Sequence, residues 1–162
     1  MLFRSEKILL THGHFDHIGA VNEIQHALKV PVCMSKGGNY YAKDPAINCS
    51  AFVGEPITLD DVTCLDDDTE IALSVNPSFK VKLIPAKGHT LDGAIYYSAN
   101  EGVAFVGDTI FRGSHGRTDL PGGSYQDLVQ TICDKVLTLP DETILYTGHG
   151  LPTTVSDEKD WY

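Results

Sequence analysis

Three histidines and an aspartate, His12, His14, Asp16 and His17, fall within six residues of the stretch LLTHGHFDHIGA. The apolar segment EKILL (6–10) leads into them and reads as a short buried strand. At the end of an extended backbone, His12 and His14 stand two apart and point to the same side. Neutral imidazoles beside a carboxylate form a donor set suited to a borderline cation such as zinc, iron or manganese. Taken singly, each residue has a plainer reading. Asp16 would cap the helix that follows, and an isolated histidine is more often hydrogen-bonded than a ligand. The cluster as a whole calls for a rigid strand end, with further donors delivered from elsewhere in the chain.

Those donors recur in one pattern. AKGHT, AFVGDT and ILYTGHG put His89, Asp108 and His149 just after apolar runs. Loops at strand ends are where a sheet presents functional groups. The remaining pattern predicts strands over 30–34, 70–73, 80–86, 94–98, 103–107 and 143–147. It predicts helices over 17–29 and 124–138 and a short helix near 36–43, with residues 44–65 irregular. Alternation of this kind means an α/β or α+β domain with helices covering sheets. At 162 residues the chain fits a single domain, 1–162.

Charge narrows the partners. Twelve Lys and Arg against 22 Asp and Glu give a net charge of −10, which argues against nucleic acid and against anionic membrane surfaces. The start of the chain lacks a signal-peptide pattern. Cys33, Cys49, Cys64 and Cys133 are widely spaced, as expected of reduced, mostly buried thiols in a cytoplasmic protein. His26 and His115 read as solvent-facing or structural. Arg117 and Asp119 in the Gly-rich segment GSHGRTDLPGG suit either a structural ion pair or a substrate-facing loop.

The order HGHFDH, GHT, GDT, GHG resembles the metallo-β-lactamase superfamily. INCSAFVGEP (47–56), FRGSHGRTDLPGG (111–123) and GHGLPTT (148–154) resemble its glyoxalase II-like (hydroxyacylglutathione hydrolase-like) branch. The resemblance implies an αββα sandwich holding two divalent cations, zinc before iron or manganese. His12, His14 and His89 would hold one, Asp16, His17 and His149 the other, and Asp108 would bridge them. It also implies hydrolysis of a thioester or related small ester by a cation-activated water, with Asp108 and Asp16 as catalytic residues and Asp16 orienting that water. A lactonase, a mononuclear-iron persulfide dioxygenase-like oxidoreductase and a catalytically impaired homologue are the competing readings.

Three departures from that family carry expectations of their own. Only eleven residues precede His12, so the sandwich is expected to be N-terminally shortened. An unpaired sheet edge and apolar surface would then be left for a second copy to cover as a homodimer. After His89 the family usually reads H-T-P-G-S, whereas Leu91, Asp92 and Gly93 follow Thr90 here; an altered loop is expected. The helical C-terminal region with basic residues that holds glutathione in full glyoxalase II enzymes is absent, so no dedicated glutathione site is expected.

Overall fold

The structure, a computed structural model, describes residues 5–162. Its strands form two sheets. A parallel sheet runs β1 (Ile8–Leu9), β2 (Val32–Ser35), β3 (Thr63–Leu65) in that order. A mixed sheet runs β4 (Glu70–Leu73), β5 (Asn76–Pro85), β6 (Ala94–Ser98), β7 (Val103–Gly107), β8 (Ile144–Thr147), β9 (Thr153–Thr154). β7 and β8 pair in parallel, and the other neighbours in this sheet are antiparallel. The helices are α1 (Phe15–Ile18), α2 (Val21–Leu28), α3 (Gly38–Lys43), α4 (Tyr125–Thr131) and α5 (Val155–Glu158).

Strand periodicity sorts the core into layers. On β6, Ala94 and Tyr96 face one cluster, with Val81 and Leu83 of β5 and Leu9 of β1, between the sheets. The alternate residue Ile95 faces the other side, where it meets Ala104, Val106, Leu145 and the α4 residue Leu128. A third cluster packs Leu10, just after β1, and Val32 and Met34 of β2 with Ile18 of α1, Val21 of α2 and Ala42 of α3. The order of layers is helix, sheet, sheet, helix, the αββα sandwich. Leu128, Ile132 and Leu145 are fully buried, and each such side chain contributes about 1.5–3 kcal/mol through burial.

Several elements differ from the sequence reading. The helix expected over 17–29 is broken into α1 and α2. Gly19 keeps helical geometry (φ −55°, ψ −30°), and the interruption comes at Ala20 (φ −109°, ψ 6°). The expected strand 6–10 contracts to two residues. The irregular stretch 44–65 contains β3, a short strand with no buried face and hence no alternation to read. β5 starts earlier than expected, across Pro77, and β9 and α5 lie beyond the elements foreseen. The helix expected over 124–138 begins on a Ser124 cap, whose hydroxyl accepts from the Asp127 N–H at 3.3 Å. It then widens into a π turn at Ile132–Val136, where the Leu137 N–H donates to the Ile132 carbonyl at 2.9 Å. All four cysteines are free, but only Cys33 and Cys49 are buried, and Cys64 is exposed.

β1 is the first strand of its sheet. Beside it an apolar cleft of about 460 Å³ opens between the sheets, lined by Leu9, Ile71, Leu73, Phe79, Val81, Tyr96 and Phe105 among others. That cleft holds no histidine. Among the described residues, no helix is long and apolar enough to cross a membrane.

Candidate metal centre

The seven residues singled out from the sequence meet at one end of the sandwich. His12 and His14 follow β1, and Asp16 and His17 lie in α1. His89 follows β5, Asp108 follows β7 and His149 follows β8. Their donor atoms form three overlapping groups, each within 4.8 Å: His12, His14 and His89; His12, His17 and Asp108; Asp16, His17 and His149. Asp108 reaches across the groups. Its carboxylate oxygens lie 3.3 Å from His17 Nε2, 3.6 Å from His89 Nε2 and 3.4 Å from His149 Nε2. Asp16 lies 3.2 Å from His149 Nε2. It sits in the first turn of α1 rather than at its cap, which is His14, so the capping alternative for Asp16 fails.

Burial grades the site from inside to outside. His12, His14 and His89 are almost fully buried, whereas the His149 side chain is 55% exposed and that of Asp16 37%. The buried nitrogens His12 Nε2, His14 Nε2 and His17 Nε2 and the oxygen Asp108 Oδ1 have no hydrogen-bond partner. Buried polar atoms in folded proteins are normally satisfied. Three of these orphans, on His12, His17 and Asp108, belong to one donor group, and His14 turns its Nδ1 toward His89 Nε2 at 2.9 Å. Such a set of cation-binding side chains fits divalent cations.

Protonation agrees with that fit. Burial, followed by the neighbouring imidazoles, holds His12 well below the usual histidine range. Burial and then His89 push His14 down to about 4, and burial also lowers His89. All three are neutral at pH 7, the form that ligates. His17 goes the other way: burial opposes charge there, but the Asp108 and Asp16 carboxylates outweigh it. Asp108 is lowered; burial opposes this, and His17, His89 and His149 together prevail.

Supporting contacts fix the donors. His89 Nδ1 lies 2.7 Å from the Arg117 carbonyl. A carbonyl can only accept, so Nδ1 carries the proton and Nε2 presents its lone pair inward. Arg117 itself is exposed and forms a two-pronged pair with Asp119, at 2.7 Å for each contact. The side chains order the loop while its backbone orients His89. Tyr41, fully buried, donates to the Pro121 carbonyl at 2.9 Å and accepts from the Leu91 N–H at 3.1 Å. It thereby ties the same loop to the turn after His89. The sequence reading missed Tyr41, because nothing local marks it.

Gly148, in the GHG motif, is held to glycine by the site itself. A Cβ there would lie 2.1 Å from Asp108 Oδ1 and 2.8 Å from His17 Cε1, so only glycine leaves room for the donors. His26 pairs with Asp60 on the surface at 3.0 Å. His115 packs between Tyr125 and Tyr162. Neither joins the cluster.

Above the donors lies an open cleft of about 420 Å³, lined by His14, Phe15, Asp16, His89, Asp108, Phe111, Arg117, Leu120 and His149. One side is apolar and the other carries the ligands, as in a small-molecule site.

The chain is similar to known proteins. Residues 3–149 match the metallo-beta-lactamase superfamily. The chain is 36% identical over 155 residues to the probable metallo-hydrolase YqgX of Bacillus subtilis, covering 94% of this chain and 72% of that one. It is 33% identical, with the same coverage, to the hydroxyacylglutathione hydrolase GloC of Haemophilus influenzae. Among solved structures it is similar to the BLEG-1 B3 metallo-beta-lactamase, with a TM-score of 0.88 and 37% identity over 96% of this chain and 74% of that one. With the αββα layers, the donor cluster and these matches in agreement, the chain belongs to the metallo-beta-lactamase superfamily.

Proposed function

We propose that this protein is a hydrolase that holds two divalent cations and cleaves a thioester of the hydroxyacyl-glutathione type or a related small ester. The observation that carries the reading is the convergence of three overlapping donor groups beneath one open cleft. Similarity to GloC, named a hydroxyacylglutathione hydrolase, supports the thioester class. Divalent cations bound there would supply an acidified water and a Lewis acid for the carbonyl oxygen.

The chain's own residues do the rest. His12, His14 and His89 would hold the enclosed cation and Asp16, His17 and His149 the open one, with Asp108 contributing to both. Asp16, at the rim, can accept a proton from the attacking water and orient it. Phe15, Phe111 and Leu120 give the cleft an apolar wall for the acyl portion and exclude bulk water from the carbonyl. A thiolate, with an ordinary pKa of about 8.5, departs without a dedicated general acid, and the cleft offers none beyond the cluster.

The similarity to BLEG-1 favours a second reading, hydrolysis of a β-lactam at the same site. One assay series separates the readings. The purified protein is given a hydroxyacyl-glutathione thioester and free thiol is followed, with and without a chelator. Thiol release that disappears on chelation and returns with zinc, iron or manganese is the expected result. Absence of release from cation-loaded protein overturns the thioester reading. Turnover of a chromogenic β-lactam in its place moves the assignment to the lactamase. Oxygen uptake with a persulfide and one iron per chain moves it to the dioxygenase.

A further inference from the structure

Asp92 has no part in anything described so far, and it occupies an improbable place. Its carboxyl is 1% exposed, and neither oxygen has a hydrogen-bond partner of normal geometry. Around it lie the Gly13 N–H and the Thr90 hydroxyl, the latter buried and likewise without a partner. A Cβ at position 13 would lie 3.2 Å from Asp92 Oδ2. Gly13 is the residue between His12 and His14, and Thr90 is the residue after His89. The carboxyl therefore touches, from behind, both turns that deliver the enclosed trio. Its main chain is anchored as well, because the Ser35 hydroxyl at the end of β2 donates to the Asp92 carbonyl.

An unpaired carboxylate in such surroundings destabilises a fold. Breaches of this kind concentrate where geometry serves a site. We propose that Asp92 is a positioning residue that joins the His12–His14 turn to the His89 turn and so sets the spacing of the three imidazoles for one cation. The inference rests on reading those histidines as a cation position. Asp92 touches neither the cation nor the substrate. It acts by packing behind the Gly13 backbone and beside Thr90, holding ligand-bearing turns in register as outer contacts do at metal sites generally.

The test is a cobalt(II) titration of cation-free protein, read by visible absorbance and by competition with a chelator. It compares the parent with Asp92→Ala and Asp92→Asn. Asp92→Ala is expected to weaken binding of one of the two cobalt ions by about 10–100-fold. The same variant should shift that ion's absorption band and leave the other ion's binding unchanged. Asp92→Asn, which keeps one acceptor oxygen, is expected to fall between Asp92→Ala and the parent. Parent-like affinity and spectrum in Asp92→Ala overturn the proposal, as does an equal loss at both ions. If Asp92→Ala does not fold, Thr90→Val, which exchanges a hydroxyl for a methyl at constant size, is judged by the same criteria. A parent that binds no cobalt overturns the cation reading itself and this inference with it.

Discussion

Replacing Asp92 by asparagine separates the stability of this fold from the demands of its site. Burial raises the Asp92 carboxyl from the ordinary 3.8 to about 6. A raised acid is protonated in both folded and unfolded chains below about pH 3.8, where it costs nothing. Its penalty grows as pH rises from the unfolded value to the folded one, because the unfolded chain releases the proton first while the folded chain still holds it, and it is complete above the folded value. The full shift corresponds to about 3 kcal/mol, of which roughly 2 kcal/mol develops between pH 4.5 and 7.5. Asparagine carries no charge and should escape that part. His14, lowered to about 4, has the opposite sign: its neutral form stabilises the fold above the unfolded value near 6.5, and this is lost as pH falls. The parent alone therefore mixes two slopes, and the difference between parent and variant isolates Asp92. In urea unfolding of cation-free protein, the advantage of Asp92→Asn should grow by about 2 kcal/mol from pH 4.5 to 7.5. In melting temperature this is roughly 4–8 °C for a domain of this size. Any cost of burying the amide is independent of pH and cancels. A difference that stays flat with pH, or shrinks, refutes the reasoning.

Other expectations concern the donors and the core. Gly148→Ala puts a Cβ into Asp108 Oδ1 and should lower cation content while circular dichroism stays native. His149→Ala, on the exposed side of the cluster, should reduce the cations held from two to one, measured by elemental analysis. Leu128→Ala, at a fully buried position of α4, should cost about 2–5 kcal/mol in denaturant unfolding.

The donors were legible because they follow apolar strands directly or, for Asp16 and His17, in the short helix that comes after one. A strand that ends in glycine and histidine, or glycine and aspartate, advertises its site locally, and the resemblance to a known family then grouped the donors. β6 and β7 were equally plain, since each is a short apolar run, β6 being buried on both faces, and their ends are turns. Less was legible where no local pattern exists. β3 has no buried face, so only pairing with β2 makes it a strand. One π turn after Thr131 leaves the helical spacing of Leu128 and Ile132 intact, so periodicity does not reveal it. The break at Ala20 serves two tasks, aiming Asp16 and His17 at the site and laying α2 on the parallel sheet, and only the tertiary structure imposes both. The contacts that hold the donors are of the same kind. Tyr41 reaches Pro121 across 80 residues, and the Arg117 carbonyl reaches His89 across 28. Asp92 reads as a change in a family turn until the backbone of Gly13 is found against it.

The central claim is that seven side chains from four separate segments form one cation-binding centre. Its most direct test is the number of divalent cations per folded chain, measured by elemental analysis of protein purified without added metal or chelator, and again after loading and dialysis. Two per chain, falling to one in His149→Ala, is the result this account predicts. Folded protein that holds no cation and takes none up would contradict it.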